Sequence, residues 1–468
     1  MHQSESRFKR RWRSHALNAD HLTYQLNLFN GLKASMTRPT KPAQTRLLNY
    51  SATLCVVVSS MVGPGGFTSL GAQAAQVPDA AALIILWIFG GFIALCGALS
   101  YSELAAALPR SGGEYFYLSR IFHPHLGKLA GWVSATAGFA APVALSAMAA
   151  GHYANTFLPV EPTAFALGTI ALVGIAHAID VKAGGTFQVV MTSMKVLLIF
   201  GFCLAGLVFT DIPKTQSIQL TGHSVQAVFS DRFALSLIYV YYAYSGWNSA
   251  VYVAAEVKNP QRNVPRALIH GTLLVTFLYV LLNLTFLHTI PILDMVGTVE
   301  VGALSARAIF GGQGEVMLSA LLCLILLSST SAMVMTGSRV LCAIGEDQPR
   351  LGFLAIRNRH DAPTHAVLVQ QVLAAALVCT QSFEGVLTLA GFILSLFSLI
   401  TVCGVFRLRR CEPKLPRPFK VPLYPLPPLI FIAANAYGIL SVVTERPMTA
   451  LLGLGVLGIG WLIIAKLH

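Results

Sequence analysis

Twelve apolar runs recur along this chain and are separated by shorter polar or charged segments. A helix of roughly 20 apolar residues crosses the hydrocarbon core of a membrane. The runs are apolar on all sides, unlike the core helices of soluble proteins, and the alternating segments of a membrane barrel do not occur. The pattern predicts twelve membrane-spanning helices, numbered spans 1 to 12, at about residues 48–75, 80–108, 127–155, 162–180, 186–210, 233–255, 265–290, 314–342, 364–381, 385–407, 423–443 and 448–466.

The composition supports this prediction. The 468 residues are 55% hydrophobic and only 11% charged, whereas an ordinary soluble domain is about one quarter charged. A multidomain cytosolic enzyme, a secreted disulfide-rich protein and a disordered chain are therefore excluded. The eight cysteines form no C-x-x-C pair and no zinc-type spacing, so we expect neither a metal site nor a cofactor.

The net charge of +13 follows from where the basic residues lie. If the N-terminus is cytoplasmic, 27 of the 32 Lys and Arg residues fall in cytoplasmic segments and four fall outside. The positive-inside rule then predicts a multi-pass protein of the cytoplasmic membrane with both termini inside. Attraction to anionic inner-leaflet lipid explains the charge without a nucleic acid partner. Residues 1–46 carry nine of these residues and are expected to form a flexible, basic cytoplasmic tail.

Two spans contain residues that interrupt helices. Span 1 carries Gly63-Pro64-Gly65-Gly66-Phe67, and span 6 carries Tyr244-Ser245-Gly246-Trp247-Asn248. Proline removes a backbone donor, and glycine lowers helix stability. The alternatives are a proline kink in span 1 and a tolerated glycine in span 6. Because spans 1 and 6 correspond if the first ten spans form two sets of five, the paired breaks favour a transporter site.

The breaks also suggest the chemistry of a substrate. N–H groups freed from Gly65 onwards would attract a carboxylate, as helix N-termini do. Carbonyl groups freed around Tyr244 and Ser245 would accept hydrogen bonds from an ammonium group. Together these groups suit an α-amino acid that is held by its backbone.

Lys195 is the remaining basic residue, about ten residues into span 5. A charge at this depth costs at least about 2.5 kcal/mol on insertion scales. The alternative to a functional role is a side chain that extends to the membrane surface, which the length of the lysine stem makes difficult from mid-span. We therefore expect Lys195 to be functional, and a coupling proton carried on its amine is one hypothesis.

Four segments of the chain carry motifs that occur together in one family. They are Val62–Phe67, similar to G-S/T-G-I-F; Tyr101–Leu104 with Leu108–Tyr115, similar to Y-x-E-L and P-x-S-G-G-x-Y; Tyr242–Asn248 with Glu256–Arg266, similar to E-x-K-N-P-x-R-x-x-P-R; and Gly337–Arg339 with Ala362–Thr364. In this order they resemble the amino acid–polyamine–organocation (APC) superfamily of permeases, and most closely its amino acid transporter branch.

The resemblance implies an all-α integral membrane fold of twelve transmembrane helices. Its core would be an inverted repeat of five plus five spans with broken helices 1 and 6, followed by two extra C-terminal helices. Repeat one would cover about residues 47–210 and repeat two about 231–408. The core with helix 11 would end near residue 442, and residues 443–468 would form helix 12 and the C-terminus.

The resemblance also assigns roles to individual residues. The substrate would contact both breaks, at Gly63, Pro64, Gly65, Gly66, Phe67, Tyr242, Tyr244, Ser245 and Gly246. Tyr242 would cover the substrate. Lys195 would occupy the place that sodium takes in other members, beside Ser328, Ser329 and Thr330. The chain departs from the family at Pro64, where a hydroxyl residue is usual, and at Gly66, where the loss of an aliphatic side chain would widen the pocket.

Five further charged residues resemble an inner gate: Glu103, Arg110, Glu256, Arg262 and Arg266. Glu103 could pair with Arg110 or Arg266, either as a gate or as a static contact. The alternative for the last three residues is a solvated basic loop.

The expected function is secondary active transport of amino acids by alternating access, independent of sodium and either proton-coupled or by exchange. Neutral L-amino acids are favoured because no carboxylate lies in the central third of spans 1, 3, 6, 8 or 10. Cationic amino acids or polyamines are the alternative substrates, and a channel or structural membrane protein is the alternative class. An enzyme is not expected, since no catalytic His, Asp or Glu residues converge at depth. The protein would be a monomer or a homodimer.

Overall fold

The described part of the chain is helical. A computed structural model describes residues 48–179, 185–208, 218–359 and 362–466, and only the backbone of residues 185–188. Within these ranges the chain forms no strand, and Leu48 and Val257 make one isolated parallel bridge. The expected tail at residues 1–46 lies outside the described residues. The prediction of an all-α protein is confirmed for the described residues.

Seventeen α-helices and two short 3-10 helices follow one another in the described ranges. In chain order the α-helices are α1 (Tyr50–Met61), α2 (Pro64–Thr68), α3 (Leu70–Gln76), α4 (Ala80–Ala107), α5 (Gly113–Ile121), α6 (Pro124–Asn155, π-helical at Ser134–Ala140), α7 (Pro162–Ile179), α8 (Gly185–Val208), α9 (Gly222–Val228), α10 (Asp231–Tyr244), α11 (Pro260–Thr289), α12 (Ile292–Met295), α13 (Val301–Asp347), α14 (Thr364–Thr380), α15 (Phe383–Cys411), α16 (Leu426–Glu445) and α17 (Pro447–Lys466). The 3-10 helices are Ser249–Glu256 and Pro349–Ala355.

Nine of the described helices are long and apolar enough to cross a membrane: α4, α6, α7, α8, α11, α13, α15, α16 and α17. They overlap predicted spans 2–5, 7, 8 and 10–12, and some extend beyond the predicted bounds, as α13 does at both ends. Large apolar side chains are exposed on their outer faces, for example Leu172, Leu197 and Phe277, as expected where lipid surrounds the protein. The chain is therefore a multi-pass membrane protein. Twelve spans and their division into two repeats remain predictions, since every helix in spans 1, 6 and 9 is shorter, the longest being α1, α10 and α14.

The chain leaves its helix at both predicted breaks. Helix α1 ends at Met61, and α2 begins at Pro64 after an extended Gly63. Helix α10 ends at Tyr244, and the chain continues as the 3-10 helix from Ser249. Helix α11 packs along α1 and α4, while α13 packs along α6, and these helices surround the two interrupted segments.

The buried carboxylate of Glu103 links the C-terminal end of α4 to the C-terminal end of α15 and the loop that follows it. Glu103 is 1% exposed at the end of α4, and Arg409 Nε and Nη2 donate to its two oxygens at 2.7 and 2.6 Å. The backbone N–H of Val421 also donates to it, and Arg417 lies 3.6 Å away. The expected pairing of Glu103 with Arg110 or Arg266 is therefore wrong. The reason is that the last turn of α15 and the following loop surround the last turn of α4.

Glu103→Gln is expected to lower the free energy of unfolding by about 3 kcal/mol, because it leaves two arginines beside a buried neutral group. The midpoint of thermal unfolding of the purified protein checks this. Glu412→Gln is the matched control, since the ion pair of Glu412 with Arg120 is partly exposed on both sides and such pairs contribute at most about 1 kcal/mol. Equal midpoints for the two variants would contradict the assignment of Glu103 as a structural contact.

Candidate functional site

A cavity of about 120 Å³ lies between the two helix breaks. A single water needs roughly 10–15 Å³ by the same measure, so this space accommodates a small solute. Gly63, Pro64 and Gly65 line it from the first break, and Tyr242, Ser245 and Gly246 line it from the second. Six of the nine residues expected to bind substrate therefore meet at one cavity.

The first break supplies backbone donors. The first N–H groups of a helix have no partner within it. Pro64 has no N–H and Gly63 donates to Met61 O at 2.8 Å, so Gly65 and Gly66 carry the N–H groups that α2 leaves without a helical acceptor. A Cβ on Gly65 would lie 2.6 Å from Cα of Ala243. Glycine is required there because the backbones of α2 and α10 approach each other closely.

The second break supplies backbone acceptors. Gly246 has a φ of +99°, which favours glycine, and a Cβ there would lie 2.6 Å from Ser60 O in α1. Ser245 N donates to Tyr242 O at 2.8 Å, and helical hydrogen bonding resumes when Ser249 N donates to Gly246 O. The last carbonyl groups of α10 have lost helical donors. The two breaks thus bring backbone donors and backbone acceptors that lack α-helical partners to the same region.

The other three expected binding residues do not line the cavity. A Cβ on Gly66 would lie 2.3 Å from Cε1 of Tyr279, so the space that Gly66 was expected to open is filled by this ring. Phe67 is buried, and its carbonyl accepts a hydrogen bond from Tyr153. Tyr244 donates to the carbonyl of Trp87 at 3.0 Å. The expectation that Gly66 widens the pocket is therefore wrong, because a neighbouring helix occupies that volume.

Lys195 is 1% exposed and joins the first break to α13. Its Nζ donates to Ser329 Oγ at 2.7 Å and to Val62 O at 3.5 Å. Of its three expected neighbours, Ser329 also lines the cavity, whereas Ser328 and Thr330 do not. Thr330 donates instead to Leu326 O within its own helix. Lys195 thus lies behind the cavity wall rather than in it, and its role remains a prediction.

The residues expected to form an inner gate are not joined to one another. Arg110 lies over the ring of Phe116, with Cζ 5.2 Å from the ring centroid. The carbonyl of Glu256 accepts the N–H of Leu48 at 3.0 Å. Within the described ranges, no ion pair links Glu256, Arg262 or Arg266 to another residue. Their role as a gate remains a prediction.

Glu114 is the residue that sequence reasoning missed. It lies on α5, outside the predicted spans, yet it is 2% exposed and lines the cavity. Its carboxylate accepts hydrogen bonds from Tyr101, Tyr252, Asn248 and Ser398. Burial raises the pKa of Glu114 above its ordinary value, although the four donors oppose that shift. The available signal was the charged residue within S-G-G-E-Y, which served as a family motif but was not assigned a role.

Tyr279 was missed as well. Its hydroxyl donates to Met61 O at 2.6 Å, and this carbonyl at the end of α1 thus accepts a second hydrogen bond beside the one from Gly63 N. Its ring contacts Trp87 and Tyr244, with centroids 5.3 Å apart in each case. Tyr279 therefore stabilises the first break without lining the cavity. No motif marks it, because an aromatic residue within span 7 resembles any packing residue.

Comparison with known proteins gives a family match over most of the chain. Residues 48–459 match the profile of a family described as amino acid permease. The chain is 27% identical to the serine/threonine exchanger SteT of Bacillus subtilis (strain 168), over 86% of this chain and 92% of that protein. It is 26% identical to the b(0,+)-type amino acid transporter 1 of Mus musculus, over 84% and 82% of the two chains. It is also 26% identical to the large neutral amino acids transporter small subunit 2 of Homo sapiens, over 86% and 76%.

Proposed function

Because this chain belongs to the amino acid permease family, we propose that it is a secondary active transporter of neutral L-amino acids that works by alternating access. Its family and relatives are amino acid transporters, so it is a membrane permease and not an enzyme. The observation that carries the finer proposal is the cavity between the two breaks. One side presents the N–H groups of α2 and the other presents carbonyl groups of α10. These groups match the carboxylate and ammonium groups of an amino acid backbone.

The proposal extends to coupling and topology. The ammonium group of Lys195 sits between Val62 O and Ser329 Oγ, where its charge would disfavour a bound cation, so transport is sodium-independent. Proton coupling and exchange both fit this arrangement. The name of the SteT relative adds support for exchange. Twelve spans, two cytoplasmic termini and a monomeric or homodimeric protein in the cytoplasmic membrane complete the proposal.

Purified protein in liposomes is expected to take up labelled neutral L-amino acids saturably and in preference to their D-enantiomers. Replacing sodium by choline is expected to leave the rate unchanged. Internal unlabelled substrate that accelerates uptake would favour exchange, and stimulation by an inward proton gradient would favour symport. Uptake that neither saturates nor distinguishes enantiomers would contradict the proposal and favour a channel. Empty liposomes are the control.

A further inference from the structure

The described part of the cavity wall contains one acidic side chain and no basic side chain to balance it. Among the described residues that line it, Glu114 is the one with an ionisable acidic side chain, and no Lys, Arg or His lines it. The four groups that contact the carboxylate are three hydroxyls and an amide, which are all neutral. No described ion pair involves Glu114. A buried carboxylate that has donors but no opposite charge is stabilised further by a cation beside it.

The carboxylate also has an unused position for a donor. A carboxylate accepts about four hydrogen bonds, two on each oxygen. Oε1 of Glu114 accepts from Tyr101 at 2.7 Å, from Asn248 at 3.0 Å and from Ser398 at 3.3 Å. Oε2 accepts from Tyr252 alone, at 2.9 Å. Oε2 therefore has room for one more donor, and its partner Tyr252 itself lines the cavity.

Glu114 is coupled to the second break through a single side chain. Asn248 follows Gly246 by two residues, lines the cavity and donates to Glu114. The backbone of a bound amino acid would occupy the breaks at Gly65 and Ser245, and its side chain would extend into the rest of the same cavity. Glu114 is thus available to the side chain of a substrate and is separate from the groups that would hold its backbone.

We propose that Glu114 is a specificity-determining residue that lets this site accept amino acids with a cationic side chain in addition to neutral ones. The inference rests on the proposed function, since only an amino acid held at the breaks presents a side chain to Glu114. It changes the substrate range drawn from the sequence. Neutral substrates were favoured because no carboxylate lies in the central third of spans 1, 3, 6, 8 or 10. Helix α5, which lies outside the predicted spans, nevertheless brings a carboxylate to the cavity.

Paired competitors that differ in charge test this inference in liposomes. L-Arginine and L-citrulline have side chains of equal length, and only arginine is charged. Each would be titrated against uptake of a labelled neutral L-amino acid. In the wild-type protein, arginine is expected to inhibit at a concentration at least about fivefold lower than citrulline, because it makes a charge-assisted hydrogen bond. In Glu114→Gln the preference for arginine over citrulline is expected to vanish. The two competitors are compared within the same variant, so the result does not depend on its rate of neutral uptake.

Two variants control for effects on folding. Glu412→Gln removes a carboxylate outside the cavity and is expected to retain the wild-type preference for arginine. Glu114→Asp retains the charge and is expected to retain the direction of the preference. If Glu114→Gln folds but does not transport, thermal stabilisation of the purified variant by arginine and by citrulline makes the same comparison.

The outcomes separate the two proposals. Equal inhibition by arginine and citrulline in the wild-type protein, with normal neutral uptake, would overturn the inference and leave the proposed function intact. Retention of the arginine preference in Glu114→Gln would overturn the role of Glu114. Absence of any saturable amino acid uptake in the wild-type protein would instead count against the proposed function itself.

Discussion

Gly65→Ala is expected to lower the initial rate of amino acid uptake at least about tenfold. The added Cβ would lie 2.6 Å from Cα and 2.9 Å from Cβ of Ala243. The nearest atom belongs to the backbone, so relief requires α2 to move away from α10, and overpacking of this kind costs about 1–3 kcal/mol. Such a movement displaces the N–H groups at one wall of the cavity. Uptake by liposomes, normalised to the amount of monodisperse protein, measures the effect.

Gly168→Ala and Gly201→Ala are the matched controls. Each adds the same methyl group within a helix, α7 or α8, and nothing lies within 4 Å of the new Cβ. Alanine is also the better helix former, so both variants are expected to transport at the wild-type rate. A wild-type rate for Gly65→Ala, beside normal controls, would mean that the close approach of α2 and α10 does not matter for transport.

The helices and their breaks could be predicted because both depend on local sequence. An apolar run forms a helix in a membrane because its backbone groups must be satisfied internally. Pro64 and Gly246 interrupt that pattern through properties of their own, a missing N–H and a positive φ. The meeting of the two breaks at one cavity was expected from their matching positions and from the family resemblance. The cavity in the structure has both of them in its wall.

Pairings between distant segments could not be predicted in the same way. Glu103 has Arg110 nearby in sequence, but its partner Arg409 lies 306 residues away. Which arginine pairs with Glu103 depends on which helix ends lie next to each other in the fold. Charge patterns along the chain do not specify that. Gly66 illustrates the same limit. Its missing side chain suggested an open pocket wall, whereas the ring of Tyr279, more than 200 residues later, fills the space.

Glu114 was overlooked for a related reason. Searching the central thirds of the spans for carboxylates assumes that the groups lining a membrane cavity come from membrane-spanning segments. Helix α5 lies between two spans, and Gly112 and Gly113 with positive φ values turn the chain into it. The backbone turn therefore brings Glu114, in the first turn of α5, against Tyr101 and Asn248. The position of a residue along a predicted span therefore does not by itself predict whether its side chain lines the cavity.

Lys195→Met is expected to reduce uptake at least about tenfold while leaving the protein folded. Methionine keeps an unbranched apolar side chain, one heavy atom shorter than that of lysine, and has no ammonium group. Its introduction removes the donor to Ser329 Oγ and to Val62 O, so the first break loses its connection to α13. The uncharged side chain is also easier to bury at this depth, since a central lysine costs at least about 2.5 kcal/mol. We therefore expect thermal stability to be retained and transport to be lost, as measured on the same preparation.

Two transport assays separate the possible roles of this lysine. If Lys195 carries a coupling proton, Lys195→Met and Lys195→Ala retain exchange of internal for external substrate but lose accumulation driven by a proton gradient. If Lys195 only holds the first break in position, both variants lose exchange and proton-driven accumulation together. Lys414→Met is the control, because Lys414 is exposed on the loop after α15, and it is expected to behave as the wild-type protein. Normal proton-driven accumulation by Lys195→Ala would exclude the proton-carrying role, and normal rates in both assays would exclude the structural one as well.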